Sequence, residues 1–244
     1  MDKTSTSYIL QKKLLDRFGK GIKQYQLIQP GDSILVGLSG GKDSLALVEL
    51  LGKYRKKHNY NFSVTALHVK MKNISYSSDC QYLESFCQKQ DIDFILKETS
   101  FKEDKQKGRS PCFLCSWNRR KILFETAQKI KANKIALGHH QDDILHTTFM
   151  NLLYEGNFST MPVKIKMKKF PITIIRPLCR IQETDIASWA SISNYCPLIK
   201  ICPYDTASKR NTIKNLFSKI EELNSEARFN IWHALEKEGK LIEE

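Results

Sequence analysis

Apolar positions near the start of the chain recur at helical spacing. Ile9, Leu10, Leu14, Leu15, Phe18, Ile22 and Tyr25 share one face with basic residues between them, so residues 7–29 read as an amphipathic helix. Pro30-Gly31-Asp32 ends that pattern. Short apolar runs then take over, at residues 34–38, 62–69, 92–96, 134–138 and 172–175, each reading as a strand. Helical periodicity separates them: after residue 44, through Tyr82, Leu83, Phe86 and Cys87, and from Trp117 onward. Strands alternating with helices in this way imply parallel βαβ units with right-handed crossovers, hence an α/β fold built on a Rossmann-like, doubly wound parallel sheet. Residues 214–244 read as helical and mixed in charge. The expected organisation is therefore an N-terminal helical segment (1–29), a catalytic domain (30–216) and a short helical C-terminal tail (217–244).

A chain of 244 residues can bury a core without disulfide or metal staples. It contains no apolar run of about 18 residues, and Met1-Asp2-Lys3-Thr4-Ser5 lacks the apolar core of a secretion signal, so a cytoplasmic protein with no membrane partner is expected. Seven cysteines without such a signal suggest thiols or metal ligands rather than a disulfide framework. The formal charge of +13, from 39 Lys and Arg against 26 Asp and Glu, favours a polyanionic partner, with nucleic acid first.

The most informative residues are Ser39-Gly40-Gly41-Lys42-Asp43-Ser44, which join the first strand to a helix. Such a junction presents unpaired backbone N–H groups and a positive dipole end, and glycine lets an anion approach the backbone closely. The spacing is neither GxxxxGK followed by Ser or Thr, nor GxGxxG. Gly138-His139-His140-Gln141-Asp142-Asp143 follows the fourth strand and delivers imidazoles and carboxylates to the same end of the sheet, where His68 also falls. Asp142 and Asp143 equally suit the acidic first turn of a helix, and His140 and His146 suit packing.

Cys112 and Cys115 form a CxxC, and Cys202 stands in Ile201-Cys202-Pro203-Tyr204-Asp205. A lone CxxC is compatible with zinc, a redox pair or an iron–sulfur site. The usual place of a redox pair, after the first strand, is taken by the glycine loop, and Asp205 stands where a second CxxC would put a cysteine. Cys80 and Cys87 suit packing, Cys179 ends a strand-like run, and Cys196, six before Cys202, is an alternative ligand or sulfur carrier. Arg119, Arg120 and Lys121 follow the CxxC, and with Arg176 and Arg210 they are candidate phosphate contacts for RNA. Lys164, Lys166, Lys168 and Lys169 suggest an RNA-facing hairpin.

The SGGKDS string resembles the PP-loop signature of ATP pyrophosphatases. With CFLCSWNRRKILFETA, ALGHHQDDILHTTFMNLLYEG, Met161-Pro162 and Ile175-Arg176-Pro177-Leu178, the chain from about residue 11 to 216 is similar to the TtcA family of tRNA 2-thiocytidine synthetases. The resemblance implies ATP as substrate, bound by Ser39, Gly40, Gly41, Lys42, Asp43, Ser44, His68, Gly138 and Asp143, with Mg2+ at Asp43 and Asp142. It also implies a [4Fe-4S] cluster on Cys112, Cys115 and Cys202, with Lys42 and Asp43 catalytic beside them. The expected reaction adenylates the C2 oxygen of a pyrimidine, cytidine at position 32 of tRNA, and replaces it with sulfur. The donor would be sulfide or a cysteine desulfurase, and the enzyme a homodimer. A uridine 2-thiolase of the TtuA type and a PP-loop ligase such as lysidine synthetase are the alternatives. A persulfide relay on the same cysteines competes with the cluster, and a zinc-stabilised RNA-binding module would leave SGGKDS and GHHQDD without use.

Overall fold

The computed structural model describes residues 3–58, 61–72, 76–77, 79–101, 110–200 and 209–244. The amphipathic start forms α1 (Lys3–Gln24), which buries Leu14, Phe18 and Ile22 while Ile9 stays exposed. It stops earlier than its periodicity predicts. Gln26 adopts φ 50 and the Leu27 amide reaches back to the Ile22 carbonyl at 3.0 Å, a tight turn that redirects Leu27 and Ile28 into the core.

The chain continues through β1 (Ser33–Gly37), α2 (Lys42–His58), β2 (Ser63–Met71), β3 (Tyr76–Ser77), α3 (Cys80–Lys89), β4 (Asp93–Thr99), α4 (Pro111–Lys129), β5 (Lys134–Ala136) and α5 (Gln141–Glu155). It then forms β6 (Lys164–Lys166), β7 (Thr173–Ile175), α6 (Glu183–Ile192), β8 (Ile199–Lys200), α7 (Lys209–Leu223), α8 (Ala227–Lys237) and β9 (Ile242–Glu243). The main sheet has seven strands in the order β4-β2-β1-β5-β7-β6-β9. Neighbours from β4 to β7 pair in parallel, β6 runs antiparallel to β7, and β9 lies parallel to β6. The doubly wound parallel sheet expected from the sequence is thus present, and β6 and β7 form the expected lysine-bearing hairpin.

Side-chain alternation divides the core. Leu35, Leu67 and Ile135 point to one face, where Ala127, Leu123 and Phe124 of α4 cover them. Ile34, Val36, Ala66 and Ala136 point to the other, against α1, α2, α5 and α6. Residues 217–244 are helical up to β9 but do not trail from the domain as a tail. Phe217, Trp232, Leu235 and Leu241 are buried in the larger core cluster, and β9 adds an edge to the main sheet. Burying those large apolar groups is what draws the segment in.

Strand order reverses on either side of β1, so β1 and β5 mark the topological switch point where the two following loops diverge and leave a crevice. The glycine loop leaves β1 there, and Gly138 leaves β5 beside it. Lys134 fixes this geometry from the opposite end of β5, donating to the Leu27 carbonyl at 2.6 Å and pairing with Asp32 at 2.7 Å.

Candidate active site

The loop after β1 is organised by its own hydroxyls. Ser44 Oγ accepts from the Gly40 amide at 3.1 Å and donates to the Gly41 carbonyl at 2.9 Å, while Ser39 Oγ lies 3.1 Å from it and accepts from the Gly41 amide at 3.3 Å. Gly40 has φ +87, a conformation that disfavours any side chain. Gly138 is required for a different reason. A Cβ there would lie 3.1 Å from the Ser44 amide nitrogen and 3.2 Å from the Asp43 carbonyl, so glycine lets the two ligand-bearing turns touch.

Lys42, at the N-terminus of α2, has its ammonium 3.1 Å from Asp43 Oδ1 and 3.2 Å from Glu183 Oε1. Burial works against that charge, but the two carboxylates outweigh it and hold the Lys42 pKa above its usual value. Glu183 is shared, since Lys214 donates to its other oxygen at 2.7 Å. That contact, followed by Lys42, lowers the Glu183 pKa against its partial burial.

His140 caps α5 in a nest of acids. Its amide donates to Asp143 Oδ2 at 3.1 Å, and its ring lies 3.5 Å from Asp142 and from Asp143 and 3.9 Å from Asp43. Burial disfavours the imidazolium, but the Asp142 hydrogen bond and the three carboxylate charges raise its pKa overall. Asp142, expected at magnesium, has both oxygens committed elsewhere: Oδ1 accepts from Arg228 Nη2 at 2.9 Å and Oδ2 from the Glu183 amide at 2.7 Å. Asp43 Oδ1 is buried and is held by its ion pair with Lys42, with no well-aligned hydrogen bond. Among the described residues, no group of three or more His, Cys, Asp and Glu side chains is arranged to hold a metal ion.

His139 behaves oppositely to its neighbour. Arg176 Nε donates to His139 Nδ1 at 3.3 Å, and burial, then the Arg176 charge, lower the imidazole pKa to about 4. It is therefore neutral at pH 7. Arg176 also donates to the Pro162 carbonyl, and burial together with Arg120 lowers its pKa to about 10, so it keeps its charge.

Above this floor lies a pocket of about 660 Å3, open at the carboxyl ends of β1, β2 and β5 and roofed by α4. Arg119, Arg120, Arg176 and Arg210 line it with Ser39, Ser116 and His139, over an apolar base that includes Leu67, Val69, Leu123 and Leu137. The structure thus gathers Ser39 and four of the five basic candidates around one cavity. Lys121 faces elsewhere, 5.7 Å from the Trp117 ring centroid and 3.8 Å from Glu125. His68 is buried behind the pocket wall, its Nδ1–H donating to the Leu38 carbonyl at 2.8 Å, and its strand neighbours Leu67 and Val69 face the cavity instead.

Cys112 and Cys115 occupy the first turn of α4, which Ser110 caps by accepting from the Phe113 amide at 3.3 Å. Positions three apart lie on neighbouring parts of a helix surface. Cys112 is exposed, whereas Cys115 is buried with Met71 and Phe101. Ser116 and Arg119 line the pocket, and Cys112 stands one turn before Ser116, toward the N-terminus of α4. Cys202 and Asp205 lie outside the described residues. The approach to them is described: Leu198 donates to the Gly40 carbonyl at 2.9 Å, and β8 then pairs antiparallel with β3. The segment leading to Cys202 therefore rests on the glycine loop. Cys87 and Cys179 are buried with pKa values raised to about 12, consistent with packing roles. Glu183, Arg228, His139 and Leu198 are site residues that the sequence reading did not single out for a role. Only His139 had a local signal, its position in GHHQDD.

The pattern of the PP-loop domain matches residues 10–220. The tRNA-cytidine(32) 2-sulfurtransferase of Yersinia pestis (strain Pestoides F) is 37% identical over 213 residues, covering 85% of this chain and 67% of that protein. Its counterpart in Yersinia enterocolitica serotype O:8 is 36% identical over the same length. Among solved structures, the U34-tRNA thiolase NcsA from Methanococcus maripaludis with its [4Fe-4S] cluster superposes with a TM-score of 0.78 at 25% identity, over 95% of this chain and 79% of NcsA. With a family match across most of its length and relatives this similar over 85% of it, the chain belongs to the PP-loop family and, within it, to the TtcA family.

Proposed function

We propose that this protein is an ATP-dependent tRNA sulfurtransferase that replaces the C2 oxygen of cytidine 32 with sulfur. The observation that carries this reading is a single basic pocket bordered on one side by the PP-loop and on the other by the helix bearing Cys112 and Cys115. A nucleotide-binding ligase needs only the first of these.

The chemistry divides between the two sides. A pyrimidine C2 carbonyl is a weak electrophile and its oxygen a poor leaving group, and transfer of AMP to that oxygen corrects both. The amides of Gly40 and Gly41 and the Ser39 and Ser44 hydroxyls, exchanging their bonds to one another for phosphate oxygens, would cradle the departing pyrophosphate with the α2 dipole, and Lys42 would leave its carboxylate partners to neutralise it. Asp43, whose carboxylate pairs with the Lys42 ammonium that a phosphate would draw away, fits magnesium, which takes few protein ligands and keeps several waters. Asp143, tied to the His140 amide, would fix the second turn against the phosphates. Neutral His139 and charged Arg176 offer a hydrogen-bonding surface that neither donates a strong acid proton nor loses its charge near pH 7. Arg119, Arg120 and Arg210 would grip RNA phosphate or the adenylate.

Cys112 and Cys115 fit two corners of a [4Fe-4S] cluster by donor type and helical spacing, with Cys202 as the third. When bound, such a cluster supplies an iron with no protein ligand, and so a means of activating sulfide toward carbon. The closing step is attack of sulfur on the adenylated carbon, with AMP leaving. We assign sulfide or a cysteine desulfurase as donor, a homodimer as the working unit and the cytoplasm as its location; no helix among the described residues is long and apolar enough to cross a membrane.

The test pairs two measurements. Nucleosides from tRNA of a deletion strain should lack 2-thiocytidine; loss of 2-thiouridine instead would favour the TtuA-type alternative. Anaerobically purified wild-type protein should hold roughly four irons and four sulfides, lost in Cys202→Ala. A colourless protein after anaerobic reconstitution would rule out the cluster.

A further inference from the structure

Large aromatic side chains on the outer edge of α4 are not absorbed by the chemistry above. Trp117 is 50% exposed and Phe113 48%, one helical turn apart. The other two tryptophans, Trp189 and Trp232, are buried and hydrogen-bonded through their indole nitrogens. About one turn beyond Trp117 stands Arg120 and about two turns beyond it, on the same side, Phe124, and both line the pocket. The exposed aromatics are therefore continuous with the pocket rim, not isolated on a distant face.

We propose that Trp117, with Phe113 beside it, is a stacking platform for an unpaired nucleobase neighbouring the one that enters the pocket. This rests on the tRNA reading and adds to it the means by which a single-stranded loop is held open. Charge favours this occupant over an apolar protein face: the cavity lining contains Arg119, Arg120, Arg176 and Arg210 and no carboxylate among the described residues, and the Lys121 ammonium sits 5.7 Å from the Trp117 ring centroid. Aromatic faces flanked by cations are how proteins hold unstacked bases with their phosphates. A base must leave its neighbours to present its C2 oxygen inside a cavity, and the adjacent base then needs a new stacking partner.

Because the other tryptophans are buried, Trp117 is the indole whose emission should respond to a bound base. Full-length protein is titrated with an anticodon-arm RNA stem–loop and with a blunt RNA duplex, following tryptophan emission and, separately, the anisotropy of dye-labelled RNA. The stem–loop should quench emission and the duplex should not. Trp117→Leu should abolish the quench and weaken stem–loop binding about 5- to 150-fold, the equivalent of one stacked base. Trp117→Phe should lose the signal yet keep most of the affinity, which a merely structural role for the side chain does not predict. Unchanged affinity in Trp117→Leu, equal quenching by duplex, or emission that tracks protein concentration instead of RNA would overturn the proposal, the last placing this face between two copies of the chain. Absence of any anisotropy change with wild-type protein would overturn the tRNA reading itself.

Discussion

Removing the Arg228 guanidinium distinguishes an anchoring Asp142 from a metal-binding one. Arg228 pairs with Asp142 at 2.9 Å, with side chains only 14% and 12% exposed, and also donates to both oxygens of Glu221 at 2.8 and 3.1 Å. Its guanidinium lies 5.2 Å from the Phe217 ring centroid. Arg228→Met keeps an aliphatic stem on that ring but leaves Asp142 as a buried carboxylate without its cation, a loss of about 3–5 kcal/mol for pairs of this kind. In a chain of this size each kcal/mol moves Tm by about 2–4 °C, so a fall of roughly 6–20 °C is expected by calorimetry. Asp142→Asn should also destabilise, and the double variant should show a coupling of about 0.5–3 kcal/mol. The pH dependence follows from the same pair. Although burial opposes ionisation, the His140 hydrogen bond and the Arg228 charge hold the Asp142 carboxyl well below its usual range. Its stabilisation is therefore fully present above about pH 4, the unfolded value, and is lost as pH falls toward the folded one, while Arg228→Met should begin to lose stability at higher pH. A Tm for Arg228→Met within about 2 °C of wild type, or an Asp142→Asn variant of wild-type stability that has lost ATP turnover, would refute the anchor and return Asp142 to magnesium.

Other expectations are more local. Gly40→Ala places a Cβ 2.3 Å from Leu198 Cγ in a left-handed backbone, which costs roughly 1–2 kcal/mol before the clash is counted; thermal-shift assays with an ATP analogue should show a lower Tm and weaker binding, and no change in either would mean that Leu198 does not rest on the loop. His139 should stay neutral in an NMR titration down to about pH 4 and titrate higher in Arg176→Met; its depressed pKa makes it a source of instability that grows as pH falls below about 6.5, and an ordinary titration would contradict its burial against Arg176. Glu183→Gln should lower the Lys42 pKa and change KM for ATP more than it changes stability, since the ion pair is partly exposed; a large drop in Tm with an unaltered KM would count against its link to Lys42.

The central strands β1 and β5 were legible because they are buried on both faces and read as continuous apolar runs, as in Ile34, Leu35 and Val36. The far edge was not: β9 has two residues, too short to carry a period. The glycine loop and GHHQDD announced themselves because their chemistry is local in sequence. Glu183 stands 141 positions from Lys42, and Arg228 stands 86 from Asp142, with nothing nearby in sequence to pair either with its partner. His68 is a different case: it reads as lying at the carboxyl end of a strand, but β2 continues to Met71, and alternation turns the His68 ring toward the Leu38 carbonyl while Leu67 and Val69 line the cavity.

The central claim is that one pocket couples ATP cleavage to sulfur insertion. The most direct measurement incubates the anaerobically reconstituted protein with unmodified tRNA, ATP, magnesium and sulfide, then analyses nucleosides by mass spectrometry and nucleotides by chromatography. The account predicts 2-thiocytidine with matching AMP and pyrophosphate, both abolished by Lys42→Ala, and thiolation alone abolished by Cys112→Ala. AMP formed with no thionucleoside from the cluster-loaded wild type, or thiolation that proceeds without ATP, would contradict it.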